Sequence, residues 1–162
     1  MDAPELAAEL HALLVERGET IASAESLTGG GLADLLSATP GASASYLGGV
    51  VSYATAVKES VLGVPAALVA EHGVVSEECA AAMANGVRDL VGATWAVSTT
   101  GVAGPTEQEG KPAGTVFVGI AGPEGVTVSA LALDGDRATI RAQACALALD
   151  QLGLVVQTLG RD

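Results

Sequence analysis

Aromatic side chains are scarce in this 162-residue chain, which contains one tryptophan, two tyrosines and one phenylalanine. Proteins that bind single-stranded nucleic acids stack the bases on exposed aromatic rings, so this scarcity argues against that function. Apolar residues nevertheless make up 49% of the chain, which is too many for a disordered protein. We therefore expect a folded domain whose core is built from aliphatic and small side chains.

Positive charge is equally scarce. Seven lysines and arginines stand against nineteen aspartates and glutamates, which gives a formal net charge of −12. A chain this acidic lacks the basic surface that binds nucleic acid phosphates, and it is poorly suited to anionic membranes. Only a few cations are available to bind an anionic ligand directly. They are Arg17, Lys58, Arg88, Lys111, Arg137, Arg141 and Arg161.

Cysteine and histidine occur only twice each. Cys79 and Cys145 stand in alanine-rich segments without a paired motif, as buried thiols of a reducing compartment do. His11 and His72 lie far apart in helical segments, so we expect no metal site and no histidine-based triad. The N-terminal segment has no signal-peptide pattern, and no uninterrupted apolar stretch approaches the ~18 residues of a membrane span. These absences predict a cytoplasmic protein with no membrane or nucleic acid partner.

Helical and strand patterns alternate along the chain without a linker or a break in composition. The patterns predict helices over 4–17, 29–38, 55–62 and 77–91, a helical turn ending at His72, strands over 20–25, 50–53 and 95–99, a hairpin of 115–121 with 126–133, and a long C-terminal helix capped by Asp136. This order predicts one domain over residues 1–162. Its fold class is α/β: a three-layer α/β/α sandwich with a mixed, mostly parallel sheet and one antiparallel hairpin.

Three loops rich in glycine, serine and threonine follow or precede the predicted strands, at 26–31, 41–49 and 100–113. In α/β sheets, ligands bind at loops that leave the carboxyl ends of the strands. We assign all three loops to that edge of the sheet and expect the ligand there.

The segment 24–31 reads AESLTGGG. A strand that ends at Ser26 leads through Thr28 and three glycines into a helix. Glycines allow the backbone to approach an anion, and a helix N-terminus offers unpaired N–H groups. A tight strand-to-helix turn would need the same glycines, so both interpretations stay open. Neither a dinucleotide-binding fingerprint nor a P-loop is present.

The segment 52–58 reads SYATAVK. It places Tyr53 at the end of a strand and Lys58 in the following helix. If the Lys58 amine is desolvated among alanine and valine, its pKa falls and the neutral amine can act as a general base. A serine–lysine pair is a known substitute for a histidine-based triad. The alternative is an ordinary surface lysine.

Two further segments carry candidate binding groups. Thr100 and Gly101 end a buried strand and could present a hydroxyl and backbone N–H groups, although a plain glycine turn would look the same. Arg137 and Arg141 lie one turn apart at the start of the last helix, where positive charge opposes the helix dipole. Either an acidic neighbour or a phosphate ligand bound bidentately would explain both arginines.

Seven motifs occur in order along the chain. They are AESLTGG, GAS-x-x-Y-x-GG, VSYAT-x-x-K, HGVVSEE, TGVAGP, KPAGTV-x-V and GDR. Together they resemble the CinA C-terminal domain family, over about residues 5–157. The activity of that family is nicotinamide-nucleotide amidase. The resemblance implies hydrolysis of the carboxamide of nicotinamide mononucleotide (NMN) to nicotinate mononucleotide and ammonia, with no metal and no cofactor.

The resemblance also implies roles for individual residues. Ser43 is the expected nucleophile, Lys58 its base and Tyr53 a group that assists or orients the pair, with Ser26 as the alternative nucleophile. The implied substrate-binding residues are Ser26, Thr28, Gly29, Gly30, Thr100, Gly101, Arg137 and Arg141.

The sequence departs from the family pattern at two places near the implied site. Thr55 stands where relatives often have asparagine, and Ala42 where they often have a second serine, so the polarity of the pocket could differ. Many relatives carry an additional N-terminal domain that this sequence lacks, and we expect functions that depend on that domain to be absent. The alternative function is a non-catalytic nucleotide-binding or regulatory module of the competence- and damage-inducible type. The alanine- and glycine-rich helix faces are compatible with a homodimer.

Overall fold

The computed structural model describes residues 1–159. Within that range the helices are α1 (Ala3–Arg17), α2 (Gly31–Ala38), α3 (Thr55–Ser60), α4 (Ala66–His72), α5 (Glu77–Val91) and α6 (Arg137–Leu159), with one short 3-10 helix, η1 (Ala42–Ala44). The strands are β1 (Ile21–Glu25), β2 (Tyr46–Val51), β3 (Trp95–Gly101), β4 (Thr115–Gly122) and β5 (Gly125–Ala132).

The strands form one mixed sheet in the order β2-β1-β3-β4-β5. β1 pairs in parallel with β2 and with β3, and β4 runs antiparallel to both β3 and β5. β4 is therefore the one strand in the described range that opposes the other four. The mixed, mostly parallel sheet with one hairpin is confirmed.

Helices cover both faces of the sheet, as the three-layer prediction requires. α1, α2 and α6 contribute to one apolar cluster, and α5 with α4 contributes to a second cluster on the opposite face. The layers approach closely because small residues line the contacts. A Cβ added to Gly119 of β4 would lie 2.5 Å from the carbonyl oxygen of Ala80 in α5.

Local sequence signals explain where the helices begin and end. Asp2 and Glu5 form a capping box at the start of α1, with reciprocal hydrogen bonds of 2.9 Å, and Gly18 ends the helix at a φ of +67°. Ser76 caps α5. Asp136 accepts a 2.8 Å hydrogen bond from the backbone N–H of Thr139 at the start of α6. These side chains satisfy N–H groups that have no partner inside the helix.

α6 is the one helix among residues 1–159 that is long and apolar enough, by composition, to cross a membrane. Core helices pass the same test. Seven α6 side chains between Ile140 and Val156 are buried, and they belong to the apolar cluster shared with α1 and α2. We therefore interpret α6 as a core helix of the α/β domain.

The boundaries of β2 differ from the prediction. The strand begins at Tyr46 and ends at Val51, so segment 41–45 enters the amino end of β2. The assignment of loop 41–49 to the carboxyl edge of the sheet was therefore wrong. Its glycines were interpreted as loop residues, whereas Gly49 is a strand residue packed so closely against β1 that a Cβ would collide with Oγ of Ser23.

Candidate active site

The carboxyl ends of β1, β2 and β3 meet at one edge of the sheet, beside a cavity of about 270 Å³. This volume is close to the lower end of the ~300–1,000 Å³ typical of small-molecule sites. Six residues predicted from the sequence line it: Ser26, Tyr53, Lys58, Thr100, Gly101 and Arg137. The structure thus brings together candidates from four separate segments of the chain.

Lys58 projects from α3 into the floor of this cavity. Its Nζ lies 2.9 Å from Oγ of Ser26, 2.7 Å from the carbonyl oxygen of Ser52 and 3.1 Å from the carbonyl oxygen of Tyr53. Only 1% of the Lys58 surface is exposed. The alternative of an ordinary surface lysine is therefore excluded.

Burial lowers the pKa of the Lys58 amine from its ordinary value of 10.5, and the nearby Cys79 and Glu109 oppose this effect. Among the ion pairs within residues 1–159, none involves Lys58. A neutral amine has two N–H groups, which the two carbonyl oxygens accept, and one lone pair, which is left for the Ser26 hydroxyl. This arrangement allows Lys58 to take a proton from Ser26.

Glu25 fixes the backbone that carries Ser26. Its buried carboxylate accepts hydrogen bonds from Oγ1 of Thr28 at 2.6 Å and from the backbone N–H groups of Leu32 and Ala33 at 2.8 and 3.0 Å. The last two donors belong to the first turn of α2, where a negative charge also favours the helix dipole. Sequence reasoning missed this role, although an acidic residue directly before a strand-to-helix turn is a usable signal.

Arg141 of α6 binds the glycine-rich loop 26–31 without lining the cavity. Nε of Arg141 donates to the carbonyl oxygen of Leu27 at 2.9 Å, and Nη2 donates to that of Thr28 at 3.3 Å. Gly29 has a φ of +58°, and a Cβ there would lie 2.8 Å from Nη2. Thr28, Gly29, Gly30 and Arg141 do not line the cavity. These four residues were predicted to contact the substrate, but in the structure they do not face the cavity. Instead, Arg141 and the loop bind each other through hydrogen bonds.

Arg137 supplies positive charge at the rim of the cavity. Its Nη1 donates to the carbonyl oxygen of Gly104 at 2.7 Å, and its Nη2 donates to Oη of Tyr53 at 3.0 Å. Tyr53 is 61% exposed. A cation and a phenol hydroxyl at the mouth of the cavity can bind an anionic group that remains partly in solvent.

Another wall of the cavity is formed by Val74 and Val75, and it is held by hydrogen bonds from Thr100 and from the hairpin tip 108–111. Oγ1 of Thr100 donates to the carbonyl oxygen of Val74 at 2.8 Å. The Glu109 carboxylate accepts from the backbone N–H groups of Val74 and Val75 at 2.9 and 2.8 Å, and Lys111 donates to the carbonyl oxygen of Val75. Thr100 was predicted as a binding residue and Lys111 was counted among the cations available to an anion, but no role was predicted for Glu109. Its partners Val74 and Val75 lie 35 and 34 residues away in the sequence, so no local pattern reveals the contact.

Ser43 does not meet Lys58 within one chain. Ser43 lies on η1, exposed, at the amino end of β2. The six residues of β2 separate it from the site by about 20 Å at ~3.3 Å per residue. The hydroxyl that contacts Lys58 is that of Ser26, the alternative nucleophile. The Ser43–Lys58 pair fails within the chain because parallel strands place the two ends of β2 at opposite edges of the sheet.

A somewhat larger cavity of about 330 Å³ lies at the other end of the molecule, near Trp95 and Pro123. Its charged lining residues are Glu19 and Glu124. It contains neither a serine nor a lysine, so the cavity at the carboxyl edge of the sheet is the candidate site.

The fold and the site define an α/β domain with a buried serine–lysine contact at the carboxyl ends of parallel strands. A profile of the CinA C-terminal domain matches residues 3–156. A CinA-like protein from Frankia casuarinae is 56% identical over 85% of this chain and 32% of its own length. A putative competence-damage inducible protein from Geobacillus is 55% identical over 80% of this chain and 31% of its own length. The chain belongs to the CinA C-terminal domain family, and it spans about a third of the length of these curated relatives.

Solved structures agree with this assignment. A competence-damaged protein (CinA) superfamily protein from Klebsiella pneumoniae has a TM-score of 0.94 and 35% sequence identity, covering 97% of this chain and 99% of its own. The competence damage-inducible protein A from another Klebsiella pneumoniae strain has a TM-score of 0.95 and 36% identity, covering 98% and 99%. The resemblance seen in the motifs is confirmed at the level of family and fold.

Proposed function

We propose that this chain is an amidohydrolase that converts NMN to nicotinate mononucleotide and ammonia, with Ser26 as nucleophile and Lys58 as base. The observation that most supports the proposal is the 2.9 Å contact between Nζ of a buried Lys58 and Oγ of Ser26. Family membership supports it as well, because the motifs that resemble the amidase family include both residues.

The reaction follows from these two side chains. Oγ of Ser26 attacks the carboxamide carbon while its proton passes to Nζ of Lys58. When the C–N bond breaks, the same proton goes to the leaving nitrogen, and ammonia departs. A water molecule then attacks the acyl-serine and gives its proton to Lys58. The carboxylate product leaves and Ser26 regains its proton.

The tetrahedral intermediate carries a negative oxygen that needs N–H donors. The backbone N–H group of Leu27 follows Ser26 directly, and Leu27 lines the cavity. This N–H makes no hydrogen bond within the part of the chain that the structure describes. Its position next to the nucleophile makes it the candidate donor.

The rim of the cavity suits the phosphate of a mononucleotide. Arg137 lies at the rim with Tyr53, on the solvent side of the Ser26–Lys58 pair. Glu107 also lines the cavity, so the attraction for an anion is local to Arg137. A bidentate contact with the guanidinium group would orient the nucleotide with its carboxamide toward Ser26.

The test is the release of ammonia and nicotinate mononucleotide from NMN by the wild-type chain. Ser26→Ala and Lys58→Met should each lower the rate by about 10³-fold or more. Ser60→Ala, which changes an exposed serine, is the matched control and should retain the wild-type rate. If NMN raises the melting temperature but no product forms at any pH, the chain is a nucleotide-binding module and the amidase proposal fails.

A further inference from the structure

One charged residue of the cavity takes no part in the proposed reaction. Glu107 lines the same cavity as Ser26 and Arg137, and it is exposed. Within residues 1–159, no ion pair involves Glu107. The Arg137 guanidinium instead binds the carbonyl oxygen of Gly104 and Oη of Tyr53. A cation and an anion therefore flank one cavity without neutralising each other.

The segment that carries Glu107 is held at both ends. On one side, Arg137 donates to the carbonyl oxygen of Gly104 at 2.7 Å. On the other side, the Glu109 carboxylate accepts hydrogen bonds from the backbone N–H groups of Val74 and Val75 at 2.9 and 2.8 Å. Between these two anchors, three residues line the cavity: Thr106, Glu107 and Gln108. The two anchors thus hold the carboxylate of Glu107 beside the cavity.

A carboxylate at this place is unfavourable for the phosphate of NMN. Like charges repel each other over about 8 Å at physiological ionic strength, and the chain already has a net charge of −12. The phosphate gains from Arg137 and loses from Glu107. The carboxylate is explained if it binds another part of the same substrate.

The order of the groups in NMN decides which part meets Glu107. The carboxamide must reach Ser26 and Lys58, which are 9 and 1% exposed. The pyridinium ring is bonded directly to the carboxamide, so the ring also lies deep in the cavity. Glu107 is exposed and follows Gly104 by three residues, a reach of at most about 11 Å, so it lies at the rim with Arg137. The ribose, which joins the ring to the phosphate, passes this level.

We propose that Glu107 binds the 2′- and 3′-hydroxyl groups of the substrate's ribose, an assignment that rests on the proposed function. A carboxylate has two oxygens and can accept a hydrogen bond from each hydroxyl. Acidic residues hold ribose hydroxyls in dinucleotide-binding folds by the same chemistry. Glu107 thereby selects mononucleotides with an unmodified ribose, because a phosphate on either hydroxyl would bring like charges together. With Arg137, it fixes the nucleotide at two points and aims the carboxamide at Ser26.

The test compares the hydrolysis of NMN with that of its 2′,3′-dideoxy analogue. For the wild-type chain, we expect kcat/KM to be about 10- to 100-fold higher for NMN, because the analogue cannot donate to the carboxylate. Glu107→Ala should lower kcat/KM for NMN by the same factor and leave that of the analogue unchanged, so that the preference disappears. Glu124→Ala is the matched control: it removes an exposed glutamate outside this cavity and should keep the wild-type preference.

Two results would overturn the assignment. A wild-type chain that hydrolyses both nucleotides equally well has no contact with the ribose hydroxyls. A Glu107→Ala variant that is impaired equally on both substrates would show that the carboxylate acts on the pyridinium charge or on the conformation of the loop. Glu107→Gln keeps the size of the side chain and should also lose most of the preference, because the charge that strengthens both hydrogen bonds is gone. A full preference in this variant would overturn the role of the carboxylate.

Failure of the proposed function can be told apart from failure of this assignment. If the wild-type chain releases no ammonia from either nucleotide, the amidase proposal fails. Isothermal titration calorimetry needs no turnover and still decides the role of Glu107. Wild type should bind NMN about 10- to 100-fold more tightly than the dideoxy analogue, and Glu107→Ala should bind both alike. Equal affinities of the wild-type chain for the two nucleotides would overturn the assignment.

Discussion

At the scale of single residues, burial is what lowers the pKa of Lys58. The sequence alone was consistent with a solvated surface lysine, whose amine would be protonated at neutral pH and unable to act as a base. In the structure, two carbonyl oxygens and one serine hydroxyl surround the amine. Desolvation lowers its pKa, which brings the neutral, basic form closer to working pH.

The proposed function predicts that the rate of NMN hydrolysis depends on the titration of Lys58. We expect kcat/KM to rise with pH and to level off at the pKa of the free enzyme's amine, below its ordinary value of 10.5, because only the neutral amine accepts the serine proton. The measurement is a pH–rate profile with a pH-matched stability control. A profile that is flat from acid to alkaline pH would contradict the assigned base.

Lys58 should also make the stability of the chain depend on pH. Its pKa is lower when folded than when unfolded, so between these two values the unfolded chain binds more protons and stability rises with pH. Below the folded pKa the full penalty of burying the charge is present. Comparison of wild type with Lys58→Met by urea unfolding isolates this effect. The difference in unfolding free energy should move in favour of wild type as pH approaches 10.5. A pH-independent difference would show that the amine titrates normally.

At the scale of elements, the loop that carries Ser26 is stabilised by contacts outside the cavity. The Glu25 carboxylate holds the first turn of α2, and Arg141 holds the backbone of the same loop from α6. The loop that carries Ser26 is therefore fixed between two elements. This explains why residues of one sequence motif have different roles, with some facing the cavity and others facing the core.

Glu25→Gln should destabilise this loop. An amide oxygen can still accept one N–H group, but the NH₂ group then faces a backbone donor, which leaves a buried donor unsatisfied. We expect a loss of about 1–3 kcal/mol in the free energy of unfolding, measured in urea. Glu124→Gln changes an exposed glutamate and should have an effect of less than about 0.5 kcal/mol. Equal effects of the two changes would refute the structural role of Glu25.

Segment 73–75 forms one wall of the cavity, and its conformation requires a glycine at position 73. Gly73 has a φ of +78°, and a Cβ there would lie 2.6 Å from both carboxylate oxygens of Glu109. Gly18 has a similar φ of +67° but nothing within 4 Å of a Cβ. Gly73→Ala should therefore lower the free energy of unfolding more than Gly18→Ala, by about 1–3 kcal/mol for the displaced Glu109 hydrogen bonds. Both can be measured in urea, and equal losses would mean that backbone strain alone is responsible.

At the scale of the whole molecule, the net charge of −12 opposes folding through self-repulsion. Few ion pairs compensate for it. Within the described range they number three, and two of these involve His72. The fold is therefore held mainly by its two apolar clusters and its hydrogen bonds.

Salt should consequently stabilise the chain. Screening shortens the Debye length from about 30 Å at 0.01 M to about 8 Å at 0.15 M, which weakens the repulsion between distant carboxylates while little attraction is lost. We expect the melting temperature to rise by a few degrees over this range of NaCl concentration. An equal osmolality of a neutral solute is the control. A melting temperature that falls with salt would mean that ion pairs dominate the electrostatics.

Much of the architecture follows from the sequence by itself. Caps such as Asp2 and Ser76, the period of apolar residues and the turn before β5 determine where helices and strands form, because these signals act between near neighbours. The motifs identify the family for the same reason. The charge composition restricts anion binding to a few cations, and Lys58 and Arg137 do line the cavity.

Only the tertiary structure decided which groups meet. The resemblance implied Ser43 as the partner of Lys58, with Ser26 as the alternative. The parallel pairing of β1 with β2 brings the carboxyl ends of these two strands together and leaves Ser43 at the opposite edge. Arg141 was a candidate ligand for phosphate and Glu109 had no predicted role, yet both bind backbone groups far away in the chain. Contacts of this kind depend on strand order and layer packing, which no short stretch of residues encodes alone.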